Sequence, residues 1–177
     1  VQGAGIQRSN GMLGFDWVSF EEHTSFGADA DMRVPIFTTV AGDILRNRFD
    51  KVEAMSGSQL ADILVGDERF APGGSVNPNI PANEQTLDGD HLDREGVLRI
   101  DGLAEVLGTT EAAVEALAAK SIVFDAGNIL IGGYGSDRIQ GNGGNDIIDG
   151  DARLNVRIGI KDASGNEADV LIDAVAL

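Results

Sequence analysis

Asp137 and Asp146 stand nine residues apart, each behind a glycine-rich run and each two residues ahead of an isoleucine, Ile139 and Ile148. The tandem reads GGYGSDRIQ at 132–140, followed directly by GNGGNDIID at 141–149. A carboxylate on a turn whose backbone carbonyls can point inward is an all-oxygen donor set, which suits a hard divalent cation, calcium first. In the pattern GGxGxDxUx, with U apolar, the first six residues are expected to need positive-φ backbone, which glycine adopts at least cost. The last three form a short strand whose one apolar side chain enters a narrow core. Two repeats complete one turn of a coil, so loops two repeats apart stack. An ion held between stacked loops can collect about six oxygens.

The period extends beyond the tandem. VFDAGNILI at 123–131 puts Asn128 in the aspartate place and Leu130 in the apolar place, and GDARLNVRI at 150–158 puts Asn155 and Arg157 there. A further copy, GSQLADILV at 57–65, carries Asp62 and Leu64. From Asp62 to Asn128 is 66 residues, one repeat plus an insertion of 57. The stack is therefore expected to be interrupted by an excursion over roughly 66–122 and then resumed. The two-repeat rule predicts loop 57–62 on loop 132–137, pairing Asp62 with Asp137, with Asn155 beyond Asp137. It likewise predicts loop 123–128 on loop 141–146, pairing Asn128 with Asp146.

GGYGSDRIQGNGGNDIIDGD (132–151) resembles the repeats-in-toxin (RTX), or haemolysin-type, calcium-binding repeat, whose glycine- and aspartate-rich nonapeptides wind a parallel β-helix. The resemblance implies a parallel β-roll, calcium-dependent folding, and export from Gram-negative bacteria by type I secretion. It also implies that carbonyls of the glycine-rich turn and the sixth-place aspartate hold Ca2+. Carried over, the metal residues are Gly132, Gly133, Tyr134, Gly135 and Asp137, then Asn142, Gly144 and Asp146, with Asn128 and Asp62 from the poorer copies. FDKVEAMSGSQLADILVGD (49–67) looks like the degenerate segments that flank such repeats, and DWVSF (16–20) with GADADM (27–32) like their first strands. GDARLNVRI is similar to a segment of repeat-containing regions in secreted bacterial haem peroxidases. The core motif covers about 30 residues, and no activity carries over onto the insertion at 67–121.

The elements that must position these loops follow from the rest of the chain. Asp16–Phe20 and Ala28–Met32 alternate as strands do, and 34–48 reads as a short helix or an irregular linker. Residues 71–90 hold three of the four prolines and read as an irregular loop. Ile100, Leu103 and Leu107 fall at helical spacing. Thr109 or Thr110 can cap a second helix through Lys120, with Ala113, Val114, Leu117 and Ala118 on its apolar face. Two such helices cannot form a core alone and are expected to pack on the side or end of the stack. Val156–Ile160 alternates, 162–166 is a turn, and Ala168–Leu177 returns as a last strand. The expected fold is mainly β: one domain over 1–177, a short parallel β-roll with two helices inserted at 67–121.

Composition bounds the function. The 177 residues carry a formal charge of −16, 24 glycines, no cysteine and two histidines. Such acidity repels nucleic acid and anionic membrane surfaces and favours cations. Absence of cysteine removes disulfides, thiolate zinc and thiol catalysis, and no apolar run approaches the roughly 20 residues of a membrane-spanning helix. The chain opens at Val1 without a methionine or a signal-peptide pattern, which reads as a piece of something longer. GGYGSD lacks the lysine and long helix of a phosphate loop. Asp88-Gly89-Asp90 with Asp93 and Glu95 misplaces the glycine and final glutamate of an EF-hand. His23 and His91 read as solvated loop residues and Trp17 as a core anchor. The expectation is a secreted, non-catalytic, calcium-stabilised module with no catalytic residue and no organic cofactor. Its partners would be calcium ions and the rest of the parent polypeptide. Alternatives are an accessory region of a haem peroxidase-like enzyme and an adhesion module that uses the insertion.

Overall fold

The computed structural model describes residues 5–68, 91–125, 127–153, 157–161 and 167–173, the last two segments as backbone. The chain is mainly β, in short strands. They are β1 (Arg8–Asn10), β2 (Trp17–Ser19), β3 (Asp29–Asp31), β4 (Arg48–Asp50), β5 (Ala54–Ser56) and β6 (Ile63–Val65). After these come β7 (Leu92–Asp93), β8 (Ile122–Phe124), β9 (Ile129–Ile131), β10 (Arg138–Gln140), β11 (Ile147–Asp149), β12 (Arg157–Lys161) and β13 (Glu167–Asp173). Three helices, α1 (Arg94–Leu98), α2 (Leu103–Val106) and α3 (Glu111–Glu115), lie between β7 and β8.

Two parallel sheets dominate. Sheet one has the order β11-β9-β5-β2 and sheet two the order β10-β6-β3. Along the chain the strands alternate between them, so each turn of the coil contributes one strand to each sheet. The register puts the middle residues in line: Val18, Met55, Leu130 and Ile148 across sheet one, and Ala30, Leu64 and Ile139 across sheet two. Met55, Leu64, Leu130, Ile139 and Ile148 are the apolar places of the repeat, and Val18 and Ala30 extend the two rows from outside its period. Val18, Met55, Leu130, Ala30 and Leu64 share one buried core with Phe20, Met32, Phe49 and Val52, and Ile139 packs against it. Ile148, in the last strand of its sheet, is half exposed.

The other faces of the two sheets differ. Ala54, Ile129 and Ile131 on sheet one join a second core with Leu92, Val97, Leu103, Ala104 and Val114 of the insertion, and Trp17 packs against it. The insertion therefore covers sheet one, a variant of the expected packing on the side of the stack. Its described residues hold three helices, where two were expected. Thr110 caps α3 by accepting from Ala113 N at 3.2 Å, but the helix ends at Glu115 instead of reaching Lys120. Arg94 takes the Glu115 carbonyl at 3.1–3.2 Å and Glu95 takes Lys120 N at 2.9 Å. These tertiary bonds satisfy the helix end and redirect the chain into β8.

Three pairings lie outside the two-sheet winding: β1 with β4, parallel, and β7 with β8 and β12 with β13, both antiparallel. Segment 34–48 is irregular apart from a parallel bridge of Pro35 to Phe49, a 3-10 turn at Asp43–Leu45, and Arg48, which opens β4. Strand β12 pairs with β13 instead of continuing the stack, and Asn155 and segment 71–90 lie outside the described residues. Among the described residues no helix is long and apolar enough to cross a membrane.

Candidate metal centre

Each strand of the two sheets except β3, which follows Ala28, is preceded by one polar residue, and these residues fall in line from turn to turn. Ahead of sheet two, Asp62 N donates to Asp137 Oδ1 at 2.9 Å, and Ala28 N donates to Asp62 Oδ1 at 2.5 Å. Ahead of sheet one, Asn128 N donates to Asp146 Oδ1 at 2.8 Å, and Asp16 N donates to Glu53 Oε2 at 2.6 Å. The side chain in one turn thus caps the backbone N–H of the turn before it. Asp62, Asn128 and Glu53 are buried to within 1% of completeness, a position that carboxylates and amides occupy only when hydrogen-bonded.

Loop 57–62 lies on loop 132–137. Tyr134 N donates to Ser58 O at 3.1 Å and Arg138 N to Asp62 O at 2.8 Å. Asp62 is also held by its own turn, Ser58 N donating to Oδ2 at 2.7 Å. Tyr134 itself turns outward, and the Arg153 guanidinium lies 4.4 Å over its ring. Loop 141–146 does not receive 123–128 as one piece. Its first half lies under Gly66–Glu68: Gly143 N donates to Asp67 O at 3.2 Å, and Glu68 bridges Gly143. Its second half lies under Gly127 and Asn128. The insertion splits this loop, so residues 66–68 and 127–128 together complete one turn. Residues 123 and 124, expected to open that loop, belong to β8 and pair with β7 instead.

The glycines divide by role. Positive φ is confined to the second and fourth places of the tandem: Gly133 (94°), Gly135 (118°), Asn142 (72°) and Gly144 (103°). The expectation that all six loop residues need it is therefore too broad. First-place glycines matter for close approach alone, whereas Gly133 and Gly135 combine positive φ with close approach to Ser58 O and Leu60 O. A Cβ on Gly57 would strike Gly132 O and Asp62 Oδ2, one on Gly132 would strike Gly150 O and Asp137 Oδ2, and one on Gly66 would strike Gly141 O and Asn128 Oδ1. Each such spot gathers a carbonyl and a sixth-place oxygen where any other residue would put a methyl group. Asn142 bonds sideways, to Gly66 O and from Gln140, both at 2.5 Å.

Calcium fits this chemistry: every donor is oxygen, and the positions are ones a Cβ would fill. Opposing this, the carboxylates already accept N–H groups. Among the described residues no three histidine, cysteine or acidic side chains gather as a metal cluster, so any ion would depend largely on carbonyls. Asp146 is the exception in charge: burial pushes its carboxyl above the ordinary value, the Asn128 N–H pulls it down, and the Asp67 and Glu68 charges push it further up.

Sequence reasoning missed Glu53, Asp16, Asp67 and Glu68. For Glu53 a signal existed: it stands nine residues before Asp62, with Met55 in the apolar place. His23, expected in solvent, is buried between Phe20 and Phe26, ring centroids 5.3 and 5.4 Å away. His91 is half-buried. Asp93 caps α1 through Gly96 N at 2.8 Å, and Asp88–Asp90 lie outside the described residues. The chain matches no family model, no curated protein and no solved structure.

Proposed function

We propose that this chain is a calcium-binding module of the RTX type, a short parallel β-roll that serves as a structural part of a larger secreted bacterial protein. The observation that supports this most is the stacking of loop 57–62 on loop 132–137, two repeats apart once the insertion is set aside. It gathers the Asp62 and Asp137 carboxylates and the Gly132 carbonyl along one edge of the coil. Asp146 and Asn128, with the Gly141 carbonyl, are the corresponding donors on the second loop column.

With little calcium the acidic loops repel one another and the coil is weak, which suits passage of an unfolded chain through an exporter. Calcium outside the cell neutralises the carboxylates, and binding and folding become one equilibrium. At about 100 times Kd each ion adds about 2.7 kcal/mol. The test is circular dichroism and thermal melting with calcium and with chelator. Calcium should raise β signal and Tm, and chelator should reverse both. Asp137→Asn keeps the acceptor for Asp62 N but removes the charge, so it should lower the calcium-bound Tm and leave the calcium-free Tm close to wild type. Identical spectra and melting in calcium and chelator would overturn the proposal.

A further inference from the structure

At the opposite end of the molecule from the tandem, β1 and β4 bring two arginines into register, Arg8 against Arg48. In-register neighbours on paired strands project to the same face, where like charges repel. Acidic residues outnumber basic ones 29 to 13, so an arginine has carboxylates to choose from. Arg33 pairs with Asp31, Arg46 with Asp29, Asp31 and Asp43, and Arg94 with Glu95. Neither Arg8 nor Arg48 makes an ion pair among the described residues. Arg48 is 7% exposed, and its Nε is buried without a hydrogen-bond partner. A buried guanidinium without a counter-charge carries a desolvation cost that a bound anion offsets.

Both arginines line an open cleft of about 320 Å³, within the usual size of small-ligand pockets. Its other walls are of two kinds. Ile36, Phe37 and Ile44 supply apolar surface, Phe37 being 91% exposed. Thr38 and Thr39 supply hydroxyls, although Thr38 Oγ1 already donates to Asp43 at 3.4 Å and accepts from Val40 N at 3.1 Å.

We propose that this cleft binds a small organic oxyanion, its carboxylate or phosphate head on Arg8 and Arg48 and its apolar body against Phe37, Ile36 and Ile44. A guanidinium fork matches planar or tetrahedral oxyanions with paired N–H donors. Two of them around one head turn the repulsion between Arg8 and Arg48 into shared attraction. The site is separate from the calcium loops and stands whether or not those loops hold metal.

The test is a titration of the calcium-loaded full chain by amide NMR and calorimetry with four probes: benzoate, phenyl phosphate, acetate and benzyl alcohol. Benzoate and phenyl phosphate separate the two head groups, acetate is a head without a body, and benzyl alcohol a body without a charge. At least one of the first two should bind one to one and shift the amides of Arg8, Phe37, Thr38 and Arg48. Acetate and benzyl alcohol should bind at least about tenfold more weakly. Arg8→Gln, at an exposed position, should lower affinity by about tenfold with Tm unchanged. Arg48→Gln should do the same, and if it fails to fold, Arg8→Gln and Phe37→Ser decide the question. The proposal is overturned by no saturable binding of either aromatic anion, by equal binding of benzyl alcohol, or by unchanged affinity in Arg8→Gln.

Discussion

The two parallel sheets are built from one repeat yet live in different surroundings. Sheet two reads Asp29-Ala30-Asp31, Ile63-Leu64-Val65 and Arg138-Ile139-Gln140. Its middle residues enter the core, while Asp29, Ile63, Arg138 and Gln140 are exposed. The two central strands of sheet one, Ala54-Met55-Ser56 and Ile129-Leu130-Ile131, are buried throughout. A sheet with one wet face alternates, and a sheet covered on both faces reads as continuous apolar sequence. The covering layer on sheet one is the helical insertion. The excursion that interrupts the repeat thus completes the hydrophobic burial of the strands beside it.

The sharpest way to break this contrast is a matched pair of substitutions at equivalent places of consecutive repeats. Ile129→Asp puts an unpaired charge between two apolar layers and should cost more than about 4 kcal/mol. Arg138→Asp, nine residues on and exposed, should stay within about 0.5 kcal/mol. Urea unfolding in calcium measures both, and similar losses would show the sheets to be equivalent.

A smaller effect tests the cover itself. Val114, 1% exposed in α3, packs in the core shared with Ala54, Ile129 and Ile131. Val114→Ala should cost roughly 1–3 kcal/mol through the cavity it leaves. Hydrogen exchange should quicken at Ile129–Ile131 and stay unchanged at Ile63–Val65. Faster exchange in both sheets alike would mean that the insertion supports the whole coil.

The smallest effect belongs to the polar face of sheet two. Burial raises the Asp31 carboxyl, but the hydrogen bonds and charge of Arg33, with the charge of Arg46, more than offset this and leave it below its ordinary value of 3.8. A depressed carboxylate stabilises the fold above its unfolded pKa and loses that contribution as pH falls through the folded one. Arg33 is half exposed, so solvent screening holds the effect to about 0.5–1 kcal/mol. Asp31→Asn should therefore lower Tm slightly at pH 7, and the difference should close as pH falls below the ordinary value of 3.8 and through the lowered folded one. A constant difference down to pH 2 would assign the loss to packing.

Some of this was legible in residue spacing. Asp137 with Asp146 and Ile139 with Ile148 fix the period, and the period carries Asp62 and Asn128 into the same two columns. Glu53 was hidden because its repeat, 48–56, has no glycine, and the pattern was read from glycines first. Within the tandem, positive φ falls at the second and fourth places, while close approach demands glycine at Gly132, Gly133 and Gly135 alike. His23 was misread because its acidic neighbours in sequence say nothing of Phe20 and Phe26, which enclose its ring.

The sequence by itself determined the repeat at 48–65 and 123–149, with the residue that heads each of its two-sheet strands and the apolar place that lines the core, because these are local and recur every nine residues. Tertiary structure alone decided which half-loops join. Gly66–Glu68 and Gly127–Asn128 are separated by the whole insertion, yet they complete one turn over loop 141–146 because backbone hydrogen bonds of the coil must be satisfied wherever the chain resumes. It also decided which sheet stays wet and where Arg8 and Arg48 meet, since burial and charge proximity depend on what packs from elsewhere in the chain.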